Sequence, residues 1–150
     1  MKQTTKEKRI EHRLQPGVLT LSGFMGTDTR GWQEIVASDE ARLEELGITA
    51  EALAERMQYF TDQSWELYDQ ELELEGKFIV ETEVVRGKLP CPFGHAGIYR
   101  KAFTILTRKD TGESLRWSSL NLHLIREHHF FEGIGSPFRL DPVDLARILW

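Results

Sequence analysis

Cysteine is almost missing from this sequence, since Cys91 is the only one in 150 residues. A lone cysteine cannot form a disulfide within the chain, which excludes the small disulfide-stapled domains of secreted proteins. The sequence also lacks a run of the roughly 20 apolar residues that cross a bilayer as a helix. The opening residues, MKQTTKEKRIEHR, have no apolar segment of the kind found in secretory signals. We therefore expect a cytoplasmic protein without a membrane span.

Glycine and proline are not in excess, with 12 and 5 residues, which excludes collagen-like and low-complexity chains. A content of 40% apolar and 29% charged residues is typical of a globular protein, and the length suits one domain. The first residues are polar and basic without apolar periodicity, as in a frayed segment. We predict a flexible basic arm over residues 1–15 and a single α+β domain over residues 16–150.

The net charge of −5 is unevenly distributed along the chain. Residues 1–16 carry five basic against two acidic side chains, whereas residues 34–75 carry two basic against thirteen acidic ones. Nucleic-acid binding depends on neutralising phosphates with basic residues, so the acidic total argues against it. The split predicts an acidic helical region that packs beside a mildly basic sheet.

The acidic region has the pattern of two helices. Ser38 is a candidate N-cap for the first helix, which ends at Gly47, and Thr49 is the candidate cap of the second. Apolar residues recur at steps of three and four in the second helix, which is typical of a helix packed on one face. Before them, Val18 to Leu21 is predicted as a short strand.

From Leu72 the pattern changes to the alternation of β-strands. Glu75 and Gly76 have the composition of a hairpin turn, and further strands are predicted over 78–84, 99–108 and 113–117. The segment Ser136 to Leu140 is a candidate fifth, edge strand. The sequence thus predicts an antiparallel meander of about four to five strands.

Two helices are predicted to close the chain. One spans about 119–131, although the alternation of Leu120, Leu122 and Leu124 is also compatible with a strand. The other starts at Asp141, where a capping aspartate precedes Pro142, a residue favoured in the first helical turn.

Two motifs contain the residues that suggest chemistry. The first is CPFGH, Cys91 to His95, and the second is HLIREHH, where three of the five histidines fall close together. Zinc prefers thiolate, imidazole and carboxylate ligands in tetrahedral sites. We hypothesise that a metal, zinc in the first instance, binds to residues of both motifs: Cys91, His95, His123, Glu127 and His128. The alternative is that Cys91 is a buried apolar group and the histidines are hydrogen-bonded or exposed.

Three other interpretations remain open, two for these motifs and one for a separate glycine-rich segment. An imidazole next to Cys91 would make it a nucleophilic thiolate. His128, His129 and Phe130 are a candidate patch for binding a ligand or a partner. The glycine-rich segment with Gly23, Gly26 and Arg30 resembles a phosphate-binding turn, but it matches no known phosphate motif, and a plain turn is the simpler reading.

The pattern as a whole favours a non-catalytic protein that binds a protein partner or a small ligand. Exposed sheet edges and the terminal Trp150 also suggest a homo-oligomer. The alternative function is that of a metal-binding protein or metal-dependent hydrolase, in which Cys91, His95, His123 and Glu127 or His128 hold the metal.

Overall fold

The computed structural model describes residues 3–65, 67, 70–94 and 97–150. The prediction of an α+β fold with an antiparallel meander is confirmed. The described residues form five helices, α1 (Thr5–Arg13), α2 (Trp32–Leu46), α3 (Ala50–Ser64), α4 (Ser119–His128) and α5 (Pro142–Ile148), and four strands, β1 (Leu72–Leu74), β2 (Phe78–Pro90), β3 (Ile98–Arg108) and β4 (Ser114–Ser118). None of these helices is long and apolar enough to cross a membrane.

The four strands lie in the order β1-β2-β3-β4, and each pairs antiparallel with its neighbour. The turn at Glu75 and Gly76 is present, and both residues have positive φ. The predicted strand over Ser136 to Leu140 is wrong. Residues there form turns, in which the Arg139 side chain pairs with Asp39 and with the carbonyl of Glu132.

Three helices begin at a side-chain cap, and two of these caps, Thr49 and Asp141, are the predicted ones. The side chains of Thr49, Ser118 and Asp141 accept hydrogen bonds from first-turn N–H groups of α3, α4 and α5. Helix α2 instead begins at Trp32 and contains Ser38 in its interior. Burial of Ile35 explains the earlier start, because the first turn contributes apolar surface to the core.

Residues 5–13 form helix α1, where the sequence predicts a flexible arm. Thr4 and Glu7 make a reciprocal capping box at its start, and Ile10 and Leu14 are buried with 4% and 0% of their surface exposed. A nine-residue helix is marginal alone in water, so its stability comes from this packing. The predicted strand from Val18 to Leu21 is also absent, since those residues form bends and turns.

The buried apolar residues form two clusters. The larger cluster joins α3, α5 and the sheet around Phe60, Phe78 and Trp117. The second cluster joins α1, the start of α2, one face of α4 and the turn after β2, with Leu14, Phe93, Leu124 and Phe130 among its members. Cys91 belongs to this second cluster, so the packing of α1 and α4 fixes the position of its thiol.

Candidate metal centre

Cys91 lies at the first position after β2, in a tight turn. The N–H of Gly94 donates to the carbonyl of Cys91 at 3.1 Å, and Gly94 adopts a φ of +87°, which favours glycine. Arg13 of α1 supports this turn, because its Nε donates to the carbonyl of Pro92 at 2.5 Å. The turn and α1 together hold the Cys91 side chain against α4, where only 3% of the residue is exposed.

Helix α4 contributes two histidines to the same place. His123 and His128 are five positions apart, which is about 140° around an α-helix. Leu124, which is fully buried, lies between them in that projection. The two imidazole rings approach each other edge to face, with 5.2 Å between their centroids.

The ligand atoms of Cys91, His123 and His128 converge. One donor atom from each of the three residues lies within 4.8 Å of the other two. The Sγ of Cys91 is 3.5 Å from Nε2 of His128. Zinc–sulfur and zinc–nitrogen bonds are about 2.3 and 2.0–2.1 Å long. At these bond lengths the donors of one tetrahedral ion lie roughly 3.3–3.6 Å apart, so the three donor atoms are close to the separation that a shared ion requires.

Tyr99 of β3 orients one of the imidazoles. Its hydroxyl lies 2.9 Å from Nδ1 of His123, and the two rings stack at 4.4 Å. This contact engages Nδ1, so the buried Nε2 is the nitrogen through which His123 would bind a metal. Ligand histidines in metal proteins are commonly oriented by such a partner on the other ring nitrogen.

The pKa of Tyr99 is raised. Burial is the main cause, and the negative charges of Cys91 and Glu127 add to it. The phenol therefore keeps its proton at neutral pH. It can act as a hydrogen-bond partner of His123 without placing a negative charge of its own beside Cys91.

Phe93 covers the other imidazole. Its ring stacks on His128 with centroids 4.2 Å apart and an interplanar angle of 9°. The same ring meets Phe130 and Trp32 edge to face. An aromatic wall of this kind limits rotation of His128 and lowers the local dielectric, which strengthens electrostatic interactions at the cluster.

The structure does not bring all the predicted ligands together. Glu127 is exposed on α4 and does not belong to the convergent group found among the described residues. His95 lies outside the described residues. The structure therefore places three of the five predicted ligands, Cys91, His123 and His128, at one point.

The proposed patch of His128, His129 and Phe130 does not form one surface. Phe130 is fully buried in the second cluster, and His128 belongs to the convergent group. His129 points toward α2 and α3, where Nε2 lies 2.6 Å from a carboxylate oxygen of Glu51 and Nδ1 contacts Glu40.

The glycine-rich segment has a packing role. A Cβ on Gly26 would lie 2.1 Å from the backbone nitrogen of Ser136, so the absence of a side chain allows these two backbones to touch. The guanidinium of Arg30 donates two hydrogen bonds to the carboxylate of Asp28, with N–O distances of 2.9 and 2.7 Å. The cation that would attract a phosphate is already neutralised, and the plain turn is the reading that these contacts support.

Sequence reasoning missed Tyr99 and the supporting role of α1. Tyr99 is 24 residues from His123 in the chain, and alternation in a strand gives no sign that one tyrosine faces a histidine.

Comparison with protein-family profiles, with curated proteins and with solved structures gave no match for this chain. The geometry of the described residues is therefore the basis on which a function can be assigned.

Proposed function

We propose that this protein binds a transition-metal ion, zinc in the first instance, through Cys91, His123 and His128. The observation that carries the proposal is the convergence of one thiol and two imidazoles within 4.8 Å. The ligands come from two segments that are 32 residues or more apart in sequence, so the fold itself assembles them. A thiolate with two imidazoles is a ligand set that suits zinc.

Three protein ligands leave a fourth tetrahedral position. Water in that position would be acidified by the ion to a pKa of about 7, as in zinc hydrolases. His95 was predicted as a ligand from the CPFGH spacing, and as a fourth protein ligand it would close the site. The open form supports the metal-dependent hydrolase among the candidate functions, whereas the closed form supports a structural metal.

Metal content tests the proposal directly. Protein purified without a polyhistidine tag and reconstituted with zinc at micromolar concentration is expected to retain about one zinc per chain after gel filtration, measured by inductively coupled plasma mass spectrometry. Cys91→Ser and His123→Ala are expected to lose most of this zinc, because each removes a ligand. His95→Ala distinguishes the open from the closed form.

His12→Ala is the matched control. His12 is exposed on α1 and outside the convergent group, so its removal should leave the zinc content unchanged. Circular dichroism of each variant checks that the fold is retained. Absence of stoichiometric metal in the folded parent protein, or equal zinc content in all variants, would contradict the proposal.

The prediction of a non-catalytic protein that binds a partner or ligand, with possible homo-oligomers, stays a prediction. A metal centre of the closed form is compatible with it, because structural metals also stabilise binding modules. Sedimentation of the zinc-loaded protein at micromolar concentration separates a monomer from an oligomer.

A further inference from the structure

A groove with basic walls runs beside the candidate metal centre. It measures about 460 Å³, and its lining includes Lys6, Arg9 and Arg13 of α1 together with His128 of α4. No acidic residue lines it in the part of the chain that the structure describes. The groove is thus positively charged in a protein whose net charge is −5.

Helix α1 separates its charges by face. Glu7 accepts a hydrogen bond from the Gln33 side chain at 2.6 Å, and Glu11 accepts one from the N–H of Trp32 at 3.4 Å. Both acids therefore face the start of α2. The basic residues at positions 6, 9 and 13 lie at helical spacing on the side of the groove. Within the described ranges, none of these three side chains forms a salt bridge.

The groove and the convergent group have one residue in common, His128. This residue is part of the groove wall, and its Nε2 is 3.5 Å from the Sγ of Cys91. A zinc ion bound by one thiolate and two neutral imidazoles keeps a charge of +1. The ion would add to the positive field of the three basic side chains. This combined field would attract an anion.

We infer that the groove binds a small molecule through an oxyanion group, of the phosphate or carboxylate class, and presents that group to the fourth position of the metal. This inference rests on the proposed metal centre. Arginine is suited to the task because its guanidinium bonds two oxygens of such a group at once. A ligand oxygen on the metal and further oxygens on Arg9 and Lys6 would fix the anion between α1 and α4.

Cobalt substitution makes the metal itself the probe. Protein loaded with Co²⁺ is titrated with inorganic phosphate and, in a separate arm, with acetate, at constant ionic strength. Entry of an oxyanion into the coordination shell changes the visible absorption of Co²⁺. A saturable change is expected for at least one anion, and the stronger of the two arms identifies the class.

Charge reversal locates the anion. Arg9→Glu is expected to weaken binding of that anion by about tenfold or more, because it replaces an attractive charge by a repulsive one. Lys8→Glu is the matched control, since Lys8 is exposed on the same helix and does not line the groove. The control alters net charge equally and should weaken binding by less than about twofold after screening by salt.

The outcomes separate the two proposals. Co²⁺ loading with a phosphate or acetate response that Arg9→Glu weakens and Lys8→Glu spares supports the oxyanion groove. Stoichiometric Co²⁺ without any response to either anion, or equal effects of the two reversals, overturns the groove and leaves the metal centre standing. Failure to load Co²⁺ or Zn²⁺ overturns the metal centre and the groove with it.

Discussion

At the scale of single residues, the candidate centre depends on Tyr99 as well as on its three ligands. The phenol holds the His123 ring through Nδ1 and by stacking, and Nε2 is then the nitrogen that would bind a metal. Removal of such a partner commonly weakens metal binding without removing any ligand.

We expect Tyr99→Phe to weaken zinc affinity by about tenfold, within the range found for partners of ligand histidines. The aromatic ring remains, so stacking is kept and only the hydroxyl contact is lost. Competition with a chelating dye measures the affinity. Tyr59→Phe, a change on α3 where the side chain is 36% exposed, serves as the control and should bind zinc as the parent does.

The three convergent residues could be selected from the sequence as candidate ligands, but Tyr99 could not. Cys91, His123 and His128 stand out in the sequence because thiols and clustered histidines are uncommon. Glu127 was chosen with them because it is four residues from His123 on a helix, yet it is exposed. Helical spacing specifies which side chains are neighbours on a helix and does not specify which of them faces the turn after β2.

At the scale of elements, the C-terminal end of α4 forms ion pairs with two other helices, α2 and α3. His129 adopts a left-handed conformation with φ +52° as the C-cap of α4, and its ring contacts Glu40 of α2 and Glu51 of α3. Burial by itself would lower the pKa of His129, but the hydrogen bonds with the two carboxylates outweigh it and raise the pKa above its usual value. Two carboxylates on one imidazole favour the doubly protonated ring.

This arrangement predicts that part of the stability depends on pH. The pKa of His129 is higher in the folded than in the unfolded chain, so its contribution is complete below about pH 6.5 and is lost as the pH rises through the folded value. We expect His129→Asn to lower the free energy of unfolding by up to about 1 kcal/mol near pH 6. The difference from the parent should shrink toward pH 8.5.

Urea unfolding of the metal-free proteins between about pH 5.5 and 8.5 measures this difference. Asparagine is chosen because it tolerates positive φ better than most residues, and the comparison cancels the titration of all other groups. A parent-to-variant difference that stays constant across the pH range would rule out the ion pairs of His129 as its source.

The helices were predicted best where a capping residue and the apolar period agree. Thr49 and Asp141 mark the starts of α3 and α5 correctly. Helix α1 was missed because only Ile10 and Leu14 among its neighbouring residues are buried apolar groups, too few to reveal a period. The start of α2 was misplaced for a related reason, since Gly31 caps it without a side-chain hydrogen bond.

At the scale of the whole molecule, the candidate centre joins parts that are distant in sequence. Cys91 follows the long strand β2, and the two histidines lie on α4, after β3 and β4. A bound ion would close a large loop of chain across the second apolar cluster. The native state would then be stabilised by the binding free energy of the metal.

We therefore expect zinc at about 100 times its dissociation constant to raise the stability by about 2.7 kcal/mol. For a domain of this size that corresponds to an increase in melting temperature of roughly 5–10 °C. Differential scanning calorimetry with zinc and with a chelator measures it. Cys91→Ser should show no zinc-dependent increase, and a parent protein that melts at the same temperature with and without bound zinc would contradict the expectation.

The order of the strands followed from the sequence because short turns leave antiparallel neighbours as the simplest pairing. The turn at Glu75 and Gly76 lies where predicted, and Gly112, with positive φ, lies between the predicted strands 99–108 and 113–117. The division into two apolar clusters did not follow, because it depends on α1 and on the contact of Gly26 with the backbone near Ser136. Such long-range approaches leave no periodic signal.

The hydrogen bond from Arg13 to the carbonyl of Pro92 has a practical consequence for anyone who shortens this protein. The first fifteen residues look dispensable, and a trimmed version would be the natural choice for crystallisation. Removing these residues would remove the hydrogen bond from Arg13 to the turn that contains Cys91. It would also expose the apolar surface around Leu14 and Phe93. If a shortened chain fails to retain zinc, the cause would be the loss of this support for the turn. That result would not test whether Cys91, His123 and His128 bind the metal.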